Sequence, residues 1–287
     1  MVLPSSLLLK QKYKFVINHS FLSYGFYLEL IEMVSCVMIL AGSGEKMDYK
    51  NKVILISGSS KGIGKCSAYY FAEKGANLVI TYNQSEDLSN QVRDDIKNKY
   101  NVLIDNLKCD LKNEDDIKNL YEFIKEKYGK IDILINNAAL SLDNDFEAKS
   151  KDEFMEVFEV NVVGTFLMIK YLSKLMDNGY IFNISSTDAI DTYSSLNIDY
   201  SASKASINNM TKSLALFLNS KVISLCPNWV DTESIREMSK EYLEMEMKRV
   251  NQDKLINPVT IPKMIDKLIR ENIETGSIVR IDGDINE

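Results

Sequence analysis

The chain has 287 residues, 45% of them hydrophobic, and a formal net charge of −7 at pH 7. At roughly 100 to 200 residues per domain, this length allows one large domain or two small ones, and the apolar content suffices for a full core. The acidic balance supplies no broad positive field, so we expect no nucleic-acid partner.

Cysteine and histidine usage excludes several kinds of site. The cysteines Cys36, Cys66, Cys109 and Cys226 lie far apart and form no CxxC pair. We therefore expect reduced thiols, a cytoplasmic location and no cysteine-built zinc site. The one histidine is His19, so the rest of the chain can have no histidine-dependent nucleophilic triad and no histidine-ligated metal. Acid-base chemistry must come from Tyr, Lys, Asp, Glu or Cys side chains.

Residues 1–46 differ from the rest of the chain because they show no sustained strand or helix period. Their most apolar part, Phe21 to Gly42, contains Glu29 and Glu32, which would be costly inside a bilayer, so we predict no membrane span. Gly44 to Met47 can be encoded by a purine-rich ribosome-binding sequence followed by a start codon. We therefore expect translation to begin at that methionine, with residues 1–46 upstream of the true start or disordered. An organellar or export extension is the alternative.

From Met47 onward, strand-like and helix-like patterns alternate, which predicts right-handed βαβ crossovers. The predicted strands are apolar runs at residues 52–57, 77–82, 102–108, 131–136, 180–185, 221–226 and 277–281. The predicted helices cover residues 65–74, 86–99, 114–128, 154–176, 200–218 and 261–272, with a charged amphipathic segment at 232–250. No linker separates two halves, so we predict a single α/β domain over residues 47–287. Its expected form is a doubly wound Rossmann fold with a seven-stranded parallel sheet.

A glycine-rich turn separates the first predicted strand from the first helix. Gly58, Gly62 and Gly64 have the spacing Gly-x3-Gly-x-Gly, and no Gly-Lys-Ser/Thr follows, which excludes a P-loop. Backbone N–H groups and the positive end of a helix can hold a pyrophosphate at such a turn. We therefore expect a dinucleotide cofactor there, although an ordinary tight turn would also use glycine.

The residues at the end of the second strand should indicate whether the cofactor is NAD or NADP. An acidic residue there would hydrogen-bond the ribose 2′-OH of NAD, but Tyr82-Asn83-Gln84 contains none. Lys61 could neutralise a 2′-phosphate, and Asn83 or Ser60 could hydrogen-bond it. The pattern favours NADP(H) over NAD(H).

Tyr200 and Lys204 are four residues apart, so a helix would place them on the same face. A nearby ammonium stabilises a phenolate and can make tyrosine a usable acid or base. Such a pair also arises by chance in many helices, so by itself it does not decide a function. Ser186 follows the fifth strand and Asn136 to Ala139 follow the fourth, which brings polar groups to the carboxyl edge of the sheet, where α/β folds bind ligands.

Taken together, these residues resemble the short-chain dehydrogenase/reductase family over about residues 47–284. The resemblance rests on the glycine turn, the Asn-Asn-Ala-Ala sequence after the fourth strand, Asn161 in Val-Asn-Val-Val-Gly, and the Ser186, Tyr200 and Lys204 set. It also includes Cys-Asp-Leu after the third strand, Pro227 to Thr232, and an Arg-Ile-Asp-Gly sequence near the end.

The resemblance implies a role for each matching residue. Tyr200 is expected to exchange the substrate proton, and Ser186 to hold the carbonyl oxygen. Lys204 is expected to bind the nicotinamide ribose and lower the pKa of Tyr200, while Asn161 supports a water relay. The implied cofactor-binding set comprises Gly58, Ser60, Lys61, Gly62, Ile63, Gly64, Asn83, Asp110, Leu111, Asn137, Ala138, Tyr200, Lys204, Pro227, Val230 and Thr232.

The activity implied is NADPH-dependent reduction of a carbonyl to a hydroxyl. Members acting on 3-oxoacyl thioesters of acyl carrier protein are the most similar, with sugar, polyol or small-ketone dehydrogenases and a non-catalytic NADP-binding regulator as alternatives. Residues 188–199 and 232–250 are expected to determine the small-molecule substrate. The family also implies a homotetramer or dimer, formed through the helices at 154–176 and 200–218.

Overall fold

The structure is a computed structural model that describes residues 47–285. The predictions for residues 1–46, an extension upstream of the true start with no membrane span, lie outside this range. Within residues 47–285, no helix is both long enough and apolar enough to cross a bilayer.

Seven strands form one sheet in which every neighbouring pair is parallel. They match the seven predicted strands, with ends that differ by at most two residues. The strands are β1 (Val53–Ile56), β2 (Asn77–Tyr82), β3 (Ile104–Lys108), β4 (Ile133–Asn136), β5 (Tyr180–Ile184), β6 (Lys221–Pro227) and β7 (Ile278–Ile281). Their order across the sheet is β3-β2-β1-β4-β5-β6-β7, which confirms the predicted doubly wound α/β fold.

Helices connect the strands and cover both faces of the sheet. Successive residues of β1 point to opposite sides: Ile54 and Ile56 join one apolar cluster, and Leu55 joins the other. All three are 0% exposed, which explains why the strands read as continuous apolar runs. The helices are α1 (Gly62–Glu73), α2 (Glu86–Lys99), α3 (Glu114–Lys127), α4 (Lys151–Phe158), α5 (Thr165–Leu172), α6 (Ile198–Leu214), α7 (Glu233–Arg236), α8 (Lys240–Arg249) and α9 (Thr260–Arg270).

The prediction of one helix over residues 154–176 is wrong in two respects: the helical region begins earlier, and it is not one continuous α-helix. Helix α4 begins at Lys151 because Ser150 and Glu153 form a capping box: the Ser150 hydroxyl accepts from the Glu153 N–H at 3.1 Å, and the Glu153 carboxylate accepts from the Ser150 N–H at 2.7 Å. A π-helical segment, Glu159–Gly164, then separates α4 from α5. Such segments often occur at functional sites, and this one contains the residue predicted to support a water relay.

The charged segment predicted at 232–250 also differs from one continuous element. It divides into α7 and α8, because the Ser239 hydroxyl accepts a hydrogen bond from the Tyr242 N–H at 3.2 Å and starts a new helix. Helices α7 and α8 follow β6 and therefore begin from the carboxyl edge of the sheet.

Candidate active site

The turn after β1 and the end of β4 meet where the strand order reverses, which is the usual ligand crevice of this architecture. Gly58 has a φ of +65°, and a Cβ there would lie 2.8 Å from the Cα of Ala138. A Cβ on Gly64 would lie 2.4 Å from the Gly58 carbonyl oxygen. The glycines at these two positions therefore allow the turn to pack directly against the end of β4.

Hydrogen bonds hold the two strand ends together. The Asn137 side-chain amide donates to the carbonyl oxygens of Ser57 at 3.0 Å and Gly58 at 2.9 Å. The backbone N–H groups of Asn137 and Ala138 both donate to the Ser57 hydroxyl at 3.0 Å. Asn137 thus fixes the shape of the glycine turn through its side chain.

The beginning of α1 holds an anionic group of the chain itself. The Gly62 N–H donates to a carboxylate oxygen of Glu233 at 2.8 Å, and the Lys65 ammonium lies 3.6 Å from the other carboxylate oxygen. This contact is what the positive end of a helix favours. The backbone at Gly62 is therefore oriented to bind a negatively charged oxygen.

A groove of about 490 Å³ runs along the carboxyl edge beside this turn. It is large enough for part of a dinucleotide, and its floor includes exposed backbone of the glycine turn. Its lining contains many of the predicted cofactor residues, namely Gly58, Ser60, Lys61, Asn83, Asp110, Leu111, Asn137 and Ala138. The groove, the glycines and the anion-binding turn fit a dinucleotide phosphate.

The other predicted cofactor residues lie outside the lining of that groove. Ile63 packs its side chain against the apolar core, so only its backbone faces the turn. Val230 is buried, and the Thr232 methyl group lies 3.3 Å from the point that a Cβ on Gly62 would occupy. Pro227 ends β6. Thr232 is thus close to the glycine turn, whereas Tyr200 and Lys204 lie on α6.

Ser186, Tyr200 and Lys204 come together at the end of β5. The Lys204 ammonium donates to the Ile184 carbonyl oxygen at 2.7 Å and lies 5.3 Å from the centroid of the Tyr200 ring. The Ser186 hydroxyl accepts from the Asp188 N–H at 3.1 Å. The sequence prediction that these three side chains share one site agrees with this geometry.

Burial and neighbouring groups act on the pKa values of Tyr200 and Lys204. Burial raises the pKa of Tyr200, the carboxylates of Asp188 and Asp143 raise it further, and its hydrogen bond with Ser186 lowers it only in part. Burial lowers the pKa of Lys204 to about 8. The predicted effect of Lys204 on the pKa of Tyr200 stays a prediction.

Asn161 in the π-helical segment connects two parts of the site. Its side-chain oxygen accepts from the Leu140 N–H at 2.7 Å, and its amide donates to the Leu140 carbonyl oxygen at 2.9 Å. The amide also lies 3.0 Å from the hydroxyl of Ser203, on α6. Asn161 therefore fixes the chain after β4 against α6, and the water relay stays a prediction.

Comparison with known proteins identifies the family. The family model described as short chain dehydrogenase matches residues 52–243. This chain belongs to the short-chain dehydrogenase family. It is an oxidoreductase acting on CH–OH and C=O groups, as its family and relatives are.

Three similar proteins illustrate the range of the family. Over 242 residues the chain is 31% identical to a 3-oxoacyl-[acyl-carrier-protein] reductase of Aquifex aeolicus, covering 82% of this chain and 97% of that protein. Over 250 residues it is 30% identical to glucose 1-dehydrogenase 2 of Bacillus subtilis, covering 82% and 95%. A crystal structure of a dehydrogenase/reductase from Sinorhizobium meliloti matches with a TM-score of 0.78 at 25% identity, covering 88% and 100%.

This short-chain dehydrogenase also has a buried ion pair beside Tyr200 that the sequence analysis missed. The Lys149 ammonium lies 3.0 Å from Asp199, and their side chains are 8% and 0% exposed. Asp199 also accepts a hydrogen bond from the Tyr200 N–H at 2.9 Å, and Lys149 donates to the Leu142 carbonyl oxygen. The acid next to Tyr200 was the one local signal, because nothing in the sequence pairs it with a lysine 50 residues away.

The ion pair predicts a large stability effect. We expect Lys149→Met to lower the free energy of unfolding by about 3–5 kcal/mol, because it leaves the Asp199 carboxylate buried and unpaired. Urea denaturation measures this change. The double variant Lys149→Met/Asp199→Asn should recover much of the loss, since asparagine is neutral and keeps an oxygen for the Tyr200 N–H. Lys170→Met, which removes an exposed pair with Glu114, is the control, and an equal loss in both single variants would contradict the prediction.

Lys204 predicts a stability effect that depends on pH. Its pKa of about 8 in the folded chain lies below its usual value of 10.5, so between these pH values the unfolded chain binds more protons and stability rises with pH. Lys204→Met removes this titration. The variant should be more stable than wild type at pH 7, by on the order of 2 kcal/mol, and its advantage should shrink by pH 9.5. Urea denaturation at both pH values tests this, and a constant difference would contradict it.

Proposed function

We propose that the chain is an NADPH-dependent reductase that converts a carbonyl to a hydroxyl, with Tyr200 as the proton donor. The main support for the proposal is that Ser186, Tyr200 and Lys204 lie together after β5, at the edge of the sheet that also holds a groove large enough for part of a dinucleotide. A sensor that only bound the cofactor would have no need of a half-buried tyrosine beside a buried lysine at this edge.

In the proposed reaction, the C=O double bond becomes single while a C–H and an O–H bond form. NADPH, when bound, supplies the hydride to the carbonyl carbon. Tyr200 donates its phenolic proton to the carbonyl oxygen, and the Ser186 hydroxyl holds that oxygen by a hydrogen bond. The raised pKa keeps Tyr200 protonated at neutral pH, as a donor must be. The Lys204 ammonium, 5.3 Å from the ring centroid, stabilises the phenolate left after transfer until solvent returns the proton.

We assign the preference for NADPH to the wall of the groove that follows β1 and β2. Lys61, Ser60 and Asn83 line this wall, and no acidic side chain follows Tyr82 until Glu86. A lysine and two neutral hydrogen-bonding side chains suit a 2′-phosphate, which would be repelled by the carboxylate that NAD enzymes place here. Asp110, Leu111, Asn137 and Ala138 would border the rest of the nucleotide.

Two substrate classes have support. The similarity to 3-oxoacyl-[acyl-carrier-protein] reductase favours a 3-oxoacyl thioester, and the similarity to glucose 1-dehydrogenase 2 favours a sugar or polyol. The polar side chains beside Ser186 favour the second class, because Asp188 lies next to the serine. An acidic carrier protein would need a basic surface, and the turn before β5 offers only Lys174 beside Asp177.

We also propose that the enzyme is a cytoplasmic homotetramer or homodimer. Apolar side chains on the outside of α4, the π-helical segment and α5 support an interface: Met155, Val163 and Phe166 are 47%, 48% and 44% exposed. The cysteines among residues 47–285 are all unpaired, which is usual in a reducing compartment.

Removing the proton donor tests the mechanism. Tyr200→Phe should lower kcat for ketone reduction by roughly 10²–10⁴-fold, because it removes the group that transfers the proton, while NADPH affinity changes little. NADPH oxidation followed by absorbance and NADPH binding followed by fluorescence measure the two effects. Tyr121→Phe, on α3, is the matched control. Full activity in Tyr200→Phe would overturn the proposal and favour a regulator that binds NADP without catalysis.

The cofactor preference depends on one lysine. Lys61→Ala should weaken NADPH binding roughly tenfold and leave NADH binding nearly unchanged, because NADH lacks the 2′-phosphate that the ammonium neutralises. Fluorescence titration with both cofactors measures the ratio, and Lys125→Ala on α3 serves as the control. If the binding of both cofactors weakens equally, Lys61 contacts a part of the dinucleotide other than the 2′-phosphate. Lys61 would then not explain a preference for NADPH.

A further inference from the structure

A group of polar side chains lies near Ser186, outside the lining of the dinucleotide groove. We call Asp188, Thr192, Glu246 and Arg249 the substrate-side cluster. It joins the loop after β5 to α8, because the Arg249 guanidinium donates to the Thr192 carbonyl oxygen at 3.1 Å and lies 2.6 Å from the Glu246 carboxylate. Both segments are those expected to determine the substrate, so the cluster bears directly on which molecules can reach Ser186.

Asp188 is the member of the cluster that contacts Ser186. Its N–H donates to the Ser186 hydroxyl at 3.1 Å, and its carboxylate accepts from the Thr192 hydroxyl at 2.8 Å. The same Thr192 hydroxyl lies 2.8 Å from the Thr187 hydroxyl, which fixes the turn that carries Asp188. These hydrogen bonds fix the turn that carries Asp188 and hold its backbone N–H at the serine hydroxyl.

The carboxylate of Asp188 retains capacity to accept hydrogen bonds from a ligand. Two carboxylate oxygens offer about four acceptor positions, and the side chains of Thr192 and Asn197 use two of them. Arg249 does not neutralise Asp188 directly, because its donors go to Glu246 and to the carbonyl oxygens of Thr192 and Tyr193. Within residues 47–285, the ion pair of Arg249 is with Glu246.

The negative charge and polarity of this surface suit one of the two substrate classes better than the other. An apolar acyl chain has no donor, so packing it over a partly buried carboxylate would strip water from that group without replacement. A phosphate-bearing carrier arm would in addition meet the negative charges of Asp188 and Asp143. The influence of Asp188 and Asp143 on the pKa of Tyr200 is consistent with both carboxylates being within electrostatic range of the reacting phenol.

We propose that Asp188 selects carbonyl compounds that carry a hydroxyl group beside the reacting carbonyl, by accepting the hydrogen bond of that hydroxyl. The inference rests on the proposed function, because it assumes that the carbonyl binds at Ser186 and Tyr200. The ligand class it names is a neutral hydroxyketone or hydroxyaldehyde, as in sugars and their derivatives, in preference to a 3-oxoacyl thioester.

Hydroxyacetone and 2-butanone form a matched pair of probes, since they differ only by a hydroxyl in place of a methyl group beside the carbonyl. The experiment measures kcat/KM for both ketones and for an acetoacetyl thioester, with NADPH, in wild type, Asp188→Leu and Asp188→Asn. Comparing each variant with wild type cancels the intrinsic reactivity of the two ketones. Asp177→Leu, at an exposed position in the turn before β5, is the control, and NADPH affinity and melting temperature verify that each variant is folded.

The wild type should prefer hydroxyacetone to 2-butanone and to the thioester. In Asp188→Leu the ratio of kcat/KM for hydroxyacetone to that for 2-butanone should fall roughly tenfold to a hundredfold, mainly through loss of hydroxyacetone turnover. Asp188→Asn keeps one acceptor oxygen, so its ratio should fall less. This variant still tests the proposal if the leucine variant does not fold. The control should keep the wild-type ratio.

Two kinds of failure are distinguishable. A wild type that reduces the ketones with an unchanged ratio in both Asp188 variants, or that prefers the thioester, overturns the role of Asp188 and leaves the proposed reductase function intact. A wild type that binds NADPH and reduces none of the three carbonyl compounds overturns the proposed function, and the inference with it.

Discussion

Both faces of the parallel sheet are covered, and this burial determines where chemistry can occur in the molecule. The inner strands β1, β4, β5 and β6 are almost entirely buried along their length. Polar side chains that need water or a ligand can therefore lie only where strands end. Because all the strands are parallel, their carboxyl ends lie at one edge, and the glycine turn, Asn137, Ser186 and the lysine of α6 collect there.

Placing these polar and charged side chains together at one edge costs folding stability, and the function explains why they are there. Lys204 is buried with a carbonyl oxygen as its hydrogen-bond partner, and its lowered pKa reports the lost hydration. Asp188 is held beside Ser186, although its charge raises the pKa of the neighbouring Tyr200. A chain selected for stability alone would replace such groups with apolar side chains. Their retention at one edge is what a site for hydride and proton transfer requires.

Local patterns in the sequence predicted the fold well and the site in part. Apolar runs identified all seven strands, and the glycine spacing identified the turn, since both depend on neighbouring residues. The capping box at Ser150 is also a local pattern, but the helix prediction followed the long apolar pattern after it. That prediction therefore missed both the earlier start and the π-helical segment. Contacts between distant segments could not be read: the Lys149–Asp199 pair and the Glu233 contact with Gly62 depend on the folded geometry.

We propose that NADPH binds along the carboxyl edge of the sheet, where the strand order reverses. Hydrogen–deuterium exchange of the full chain with and without NADPH tests it most directly, because it locates the cofactor without depending on turnover or on the substrate. If NADPH binds there, exchange should slow in the segments after β1, β2, β3 and β4, at residues 58–64, 83–85, 110–112 and 137–140, with little change at the opposite edge. Protection confined to the opposite edge, or none at saturating NADPH, would contradict it.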